Sequence, residues 1–330
     1  MKRGSLRQGV GLLVLLALSL VAVALRVLID RHPQGAVSLA WPDPSYAIFR
    51  WTAVAVAAIV GSSLAVSGVM LQALLRNPLA SPFIMGISAG AGLGVMVAIY
   101  VGHVTGSAVG YGAHMGPAIL GGVVALGVVY GLGQRRGWLD PISLLLVGVI
   151  VSTICGALIM FVQHLVPAGL RGDLTTWMMG HIRERVEAAT LIGAGALSVV
   201  GVAVAMILGR AMDAATLGDD EARSVGLALG PLRIGLFLLA SALTAVTVAL
   251  AGPIGFVGLV APHAARLILG PKHTVLVLGA ALVGVVLVVG SDTARQTLDF
   301  GGGRMPIGIF TALIGGPAFI WLLRSSRRPG

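Results

Sequence analysis

Charge is what this sequence has least of. Lys, Arg, Asp and Glu together make up 10% of the 330 residues, while 57% are hydrophobic and the mean hydropathy is +0.99. Such a composition excludes a soluble globular domain. Cysteine occurs once; Cys155 can form no internal disulfide and, lying in an apolar run, reads as a packed small residue. Aromatic residues are 5%, and the basic residues are scattered over short polar segments. The net charge of +10 therefore does not describe a nucleic-acid surface, and uneven placement across a bilayer explains it better. No phosphate-cradling G-x-x-x-x-G-K-[ST] loop is present. Gly90-Ala91-Gly92-Leu93-Gly94 lacks the strand–turn–helix setting of a dinucleotide fingerprint and reads as a small-residue packing face. The scattered histidines and lone cysteine offer no convergent set for a membrane-embedded enzyme, so no catalytic residue is expected.

Long apolar runs fill the space that charge leaves empty. A bilayer core about 30 Å thick takes ~20 residues per helical span, and the runs place spans near 10–29, 47–74, 83–102, 114–133, 143–165, 188–208, 232–251, 254–268 (short), 274–291 and 306–323. The fold class is thus all-α, a polytopic membrane protein of about ten helices embedded in lipid, with residues 1–330 as one transmembrane domain. Forty-eight glycines suit close helix packing in lipid. The basic start followed by an apolar run also resembles a secretory signal ending at Ala22-Val23-Ala24; a run this long in a multispan chain is expected to be retained as the first span. An even span count puts both termini on one side, and Lys2, Arg3, Arg7, Arg324, Arg327 and Arg328 mark that side as cytoplasmic. Threading the loops alternately leaves 14 of the 22 basic residues inside. Outside are Arg26, Arg31, Arg50, Arg171, Arg183, Arg185, Arg295 and Arg304. The twelve acids fall in loops or within about a turn of a span end, Asp292 being nearest to an interior. A charge at the bilayer centre costs ~2.5–3.5 kcal/mol, so ion-coupled carriers keep one only where it is used. That placement disfavours a proton- or sodium-driven carrier and calls for energy delivered from outside the chain.

Residues 208–231, LGRAMDAATLGDDEARSVGLALGP, form a polar island between two spans. It gathers Asp213, Asp219, Asp220 and Glu221 beside Arg210 and Arg223. Asp219 suits the cap of a short helix, with acids at its positive end, and Gly226 suits its stop. Residues 227–230 allow one further turn before Pro231 opens the next span. Such a knuckle is either a solvated loop or a contact for a soluble partner.

Four blocks decide between these readings: GSSLAVSGVMLQALLRNPLASPFIMGISAGAGLG (61–94), LGDDEARSVGLALG (217–230), LAGPIGFVGLVAPHAARLILGPKH (250–273) and MPIGIFTALIGGPAFIWLL (305–323). Together they resemble the permease subunit of ABC importers for ferric siderophores, haem and cobalamin, from about residue 50 to 323. The resemblance implies a cobalamin-importer-permease-like fold and a homodimer with the pathway on its two-fold axis. It also implies two cytoplasmic ATP-binding subunits, which carry the ATP and Mg²⁺, and a periplasmic or extracellular substrate-binding protein. The chain itself would bind no cofactor and sit in a bacterial cytoplasmic (inner) membrane. By the same resemblance Leu217, Gly218, Asp219, Asp220, Glu221, Arg223 and Gly226 couple the chain to the ATPases, and Asn77 and Leu79 narrow the cytoplasmic mouth. Arg50 and Arg295 receive acidic residues of the binding protein. The chain departs from the family's R-x-P-R pattern at Thr52 and Ala53, its Asp292–Arg295 spacing is one residue short, and Arg304-Met305-Pro306 reverses the usual Glu-Leu-Pro charge. Arg304 is therefore expected to replace some of the docking charge lost at Ala53. His263 is expected to bond a carbonyl freed by Pro262, and His103, His114, His181, Met178 and Met179 to touch a passing haem only weakly.

Overall fold

Hydropathy places the helices well. The computed structural model describes residues 2–31, 37–106, 115–135, 138–298 and 305–325. Among them eight helices are long and apolar enough to cross a bilayer, and two shorter apolar helices accompany them. In chain order the elements are α1 (Lys2–Leu28), the pair β1 (Ile29–Arg31) and β2 (Val37–Leu39), α2 (Pro44–Leu75), a 3₁₀ turn at Pro82–Met85, α3 (Ile87–Thr105) and α4 (Met115–Leu132). The pair β3 (Gln134–Arg135) and β4 (Trp138–Leu139), α5 (Pro141–Leu165), α6 (Ala168–Met178), α7 (Ala188–Ile207), α8 (Gly209–Ala215) and α9 (Asp219–Ser224) follow. The chain closes with α10 (Leu229–Ala251), α11 (Val257–Leu269), α12 (His273–Thr297) and α13 (Ile307–Ser325). Both strand pairs are short antiparallel hairpins joining spans and leave the all-α class unchanged. Sequence reasoning missed α6, whose Gly, Thr and Asp residues interrupt any apolar run.

The chain divides into two compact units. The first comprises Met1–Val69, His181–Arg210 and Ile254–Gly330. Apolar side chains gain nothing by leaving lipid for another helix, so close backbone approach has to hold such helices together. Here a Cβ on Gly61 would collide with the Gly284 carbonyl of α12, and one on Gly68 with the Gly258 carbonyl of α11. Ser63 donates to Ser198 of α7 at 2.9 Å. The second unit comprises Met70–Gly180 and Ala211–Pro253. Its core joins Val95 and Met96 of α3, Ala118 of α4, Ile159 of α5, Trp177 of α6 and Val248 of α10. The small-residue stretch 90–94 does pack: a Cβ on Gly90 would meet the Gly121 carbonyl and one on Gly94 the Pro117 carbonyl, both in α4. Most of α4, α5 and α7 lies on the outside of the protomer, whereas α2 is largely enclosed.

Two expectations change. The ninth span runs on to Thr297, which puts Asp292 inside α12 at 0% exposure. Its carboxylate lies 2.5 Å from Arg26 Nε and 2.8 Å from Arg295, and Arg26 Nη2 is 3.6 Å from Glu184. Arg26 is correspondingly a buried residue of α1 and no loop cation. A helix accommodates charge near its end when each charge faces its opposite, and hydropathy cannot see that pairing.

Candidate functional site

The polar island folds around one carboxylate. α2 ends at Leu75, and Arg76 turns the chain with a left-handed φ of +47°. Its Nε donates to the Ala215 carbonyl at the end of α8 at 2.7 Å, and its Nη2 reaches Asp219 Oδ1 at 2.6 Å. Arg233, in the second turn of α10, donates to the same Oδ1 at 2.7 Å. Burial alone pushes the Asp219 carboxyl up, but the hydrogen bonds and charges of Arg233 and Arg76 outweigh it and hold the group below its ordinary range. Asp219 is therefore not the helix cap. Gly218 occupies that position with no side-chain bond, and Asp219 is spent on tying α9 to the ends of α2 and α10. Gly226 does end α9, at φ +80°, with the Leu227 N–H reaching back to the Ala222 carbonyl at 3.0 Å. Leu229 already belongs to α10, so the further turn expected at 227–230 merges into that span.

What remains outward on α9 is a ridge. Asp220, Glu221 and Arg223 are exposed, and Leu217 (69%) and Val225 (66%) flank them, while Ala222 faces inward at 0%. Val225 escaped sequence reasoning; the signal available was an apolar residue standing alone in a charged stretch. Beside Arg76, the Asn77 side-chain oxygen accepts the Leu79 N–H at 2.9 Å and the Asn77 carbonyl accepts from Ala80 at 3.0 Å. This tight turn holds Leu79 outward at 46% exposure. Pro78 thus lies in the turn itself, and the third span opens later, through the 3₁₀ turn and left-handed Gly86.

A profile of the FecCD transport family matches residues 11–325. The chain belongs to the FecCD transport family. Its relatives include the cobalamin import system permease protein BtuC of Halobacterium salinarum, 38% identical over 280 residues, covering 83% of this chain and 72% of that protein. The hemin transport system permease protein HmuU of Yersinia pestis is 34% identical over 278 residues, covering 84% and 82%. A solved metal-chelate type ABC transporter in an inward-facing conformation superposes with a TM-score of 0.84 at 28% identity, covering 96% of this chain and 99% of that one. As a FecCD member the chain is a multi-pass membrane permease subunit of an ABC importer for metal chelates, whose ATPase and substrate-binding functions lie on separate partners.

The remaining candidates of this FecCD permease fall elsewhere. Arg50 (side chain 12% exposed) pairs with Asp30 at 2.6 Å and donates to the Val27 and Ile29 carbonyls at 2.8 and 3.2 Å. Arg295 is 2% exposed and committed to Asp292, with His181 Nδ1 at 3.3 Å. An enclosed, paired guanidinium has no face left for a docking protein, so Arg295 is a structural cation. Arg304 and His114 lie outside the described residues. Burial, then the nearby Arg295 charge, pushes the His181 imidazole down, which keeps it neutral near pH 7. Met178 packs where Gly92 leaves room, while Met179 (42%) and His103 are exposed. Among the described residues His263 Nδ1 makes no bond to a carbonyl, and the ring meets Phe319 edge-on at 6.0 Å. Among the described residues no three His, Cys, Asp or Glu side chains gather to hold a metal.

Proposed function

We propose that this permease imports a ferric chelate, siderophore or haem, across a bacterial cytoplasmic membrane by alternating access. It works as a homodimer with two cytoplasmic ATPase subunits, an external substrate-binding protein and both termini cytoplasmic. The chain holds no cofactor of its own; ATP and Mg²⁺ stay with the ATPase. The observation that carries this reading is the Asp219 clamp. A push on the ridge of α9, through Leu217, Asp220, Glu221, Arg223 and Val225, passes by Asp219 into α10 through Arg233. The same push reaches the Asn77–Leu79 turn through Arg76. Gly218 and Gly226 bound the moving piece. Leu79 excludes water at the inner mouth, and Asn77 offers its amide across the dimer axis. Arg50 and Arg304 receive the binding protein, for which long-range charge sets rate and orientation. Cobalamin is the alternative cargo, favoured by the relative from Halobacterium salinarum.

Uptake of labelled ferric siderophore, haem and cobalamin in a strain deleted for the gene tests this directly. Loss of iron-chelate uptake, restored by the wild-type gene but not by Glu221→Arg/Arg223→Glu, is the expected result. Loss of cobalamin uptake alone would transfer the assignment to the alternative. Normal uptake of all three, with redundant importers deleted, would overturn it.

A further inference from the structure

Ahead of α7 the chain runs without regular structure from His181 to Glu187, within the first unit. Its charged side chains go separate ways. Glu184 turns to Arg26 of α1 at 3.6 Å, whereas the Arg185 guanidinium lies 4.8 Å from the centre of the Phe49 ring on α2. We propose that Arg185, seated on Phe49, is the cation that takes an acidic side chain of the external substrate-binding protein. The inference rests on the importer reading above and on the loop order that puts this segment on the outer side.

The cations around Arg185 are already committed. Arg26 and Arg295 close on Asp292, and Arg50 holds Asp30 and two backbone carbonyls. Arg185 is exposed and forms no ion pair among the described residues. Acids of the same unit do not neutralise it. Asp30 is taken by Arg50, Glu184 by Arg26, and Asp43 accepts the Ser45 N–H at 2.8 Å and its hydroxyl. Glu187, exposed at the mouth of α7, makes no ion pair with it. A ring attracts a cation through its quadrupole and uses none of the guanidinium's five N–H donors. Phe49 thus fixes where the group sits and leaves its fork open to a carboxylate. The segment is also anchored from behind, since Arg295 reaches His181 Nδ1 at 3.3 Å and the Ile182 carbonyl at 3.5 Å. A side chain held before docking loses little further freedom when the partner arrives. Tyr46 stands about one turn before Phe49 on the same face of α2, 64% exposed. Arginine and tyrosine are the residue types in which interfaces concentrate their binding energy. Arg50 contributes its charge at long range, and Arg185 makes the contact.

The probe is the substrate-binding protein whose deletion abolishes the same uptake as deletion of the permease. Surface plasmon resonance measures its affinity for the complete importer in nanodiscs, at low and high salt. Arg185→Glu should weaken binding about tenfold, mainly through slower association, and reduce its salt dependence. Arg185→Lys should keep part of the affinity. Phe49→Leu, which removes the seat and keeps the charge, should cost about threefold. Each surface Asp and Glu of the binding protein is then changed to Arg. One such reversal should restore binding to Arg185→Glu while weakening binding to the wild type. Arg185 is exposed, so its variants should melt with the wild type. A lowered melting temperature with unchanged affinity would make the ring contact a structural joint and overturn the proposal, as would a scan with no restoring position. Failure of the wild-type importer to bind this protein at all would refute the importer reading instead, and the inference would fall with it.

Discussion

Each unit of this permease contains one aspartate between two arginines, and the two triads differ mainly in their access to water. In the first unit Asp292, Arg26 and Arg295 have side-chain exposures of 0, 1 and 1%. In the second, Asp219, Arg76 and Arg233 have 37, 32 and 14%. Burial makes an ion pair expensive to form and more expensive to break, whereas partial exposure makes it weak, screened and adjustable. The enclosed triad thus acts as a fixed joint among α1, α12 and the segment before α7. The open one can change its geometry at little cost, which is what a link to a moving partner needs.

The comparison breaks most visibly at Asp292. Asp292→Ala takes from two buried guanidiniums the carboxylate they share, at a cost of ~3–5 kcal/mol, a large share of an ordinary stability margin. Gel filtration of the variant should show little monodisperse permease, and replacing the whole triad by Arg26→Met/Asp292→Leu/Arg295→Met should recover it. Normal yield from Asp292→Ala alone would put both triads on the same footing. Next comes a steric control that touches neither triad. Gly121→Val drives a side chain into the Gly90 carbonyl and should cost ~1–3 kcal/mol, with a melting-temperature drop indifferent to salt.

Asp219→Asn should remove only ~0.2–1 kcal/mol of stability, because the pairs are partly exposed. Its larger effect is expected on function. In proteoliposomes containing the whole importer, uptake should fall about tenfold while ATP hydrolysis continues; parallel losses of both would reduce the triad to a structural role. The smallest effect is the pH dependence of that stability difference. The folded carboxyl of Asp219 lies below its ordinary value, so the triad's contribution is complete above the unfolded value of about 3.9 and disappears as pH falls through the folded one. The melting-temperature gap between wild type and Asp219→Asn should stay level from pH 8 to about pH 5 and close below about pH 4. Raising the salt concentration should narrow the same gap and leave the Asp292 effect alone.

The spans were legible because long apolar runs bounded by Arg, Pro and Gly have few other readings in a chain this poor in charge. The α9 knuckle was legible from its acids and Gly226. Two things were not. The sequence around Asp292 reads as a span end, since nothing local reveals that Arg26, far back in the chain, waits opposite it. Asp219 reads as a cap for a similar reason: its local surroundings fit a helix start, while Arg76 and Arg233 become its partners only once α2 and α10 bring their ends together. Long-range charge pairing leaves no periodic trace, and both corrections have that single cause. The exposed Val225 and the enclosure of Arg295 likewise depend on which face of a helix turns outward.

The glycine seams of the first unit limit how its helices can move. Gly61 and Gly68 are seven residues apart on α2, about two turns, and so lie on one face; each meets a glycine backbone on a different neighbour. A slide of one turn along the axis, about 5.4 Å, would bring residues with a Cβ, such as Leu64 and Ala65 or Leu71 and Gln72, to the seams where there is no room for one. The two contacts act like teeth in separate racks, and neither can skip alone. Whatever rearrangement the transport cycle makes, α2 does not slide along α11 or α12; it has to carry them with it.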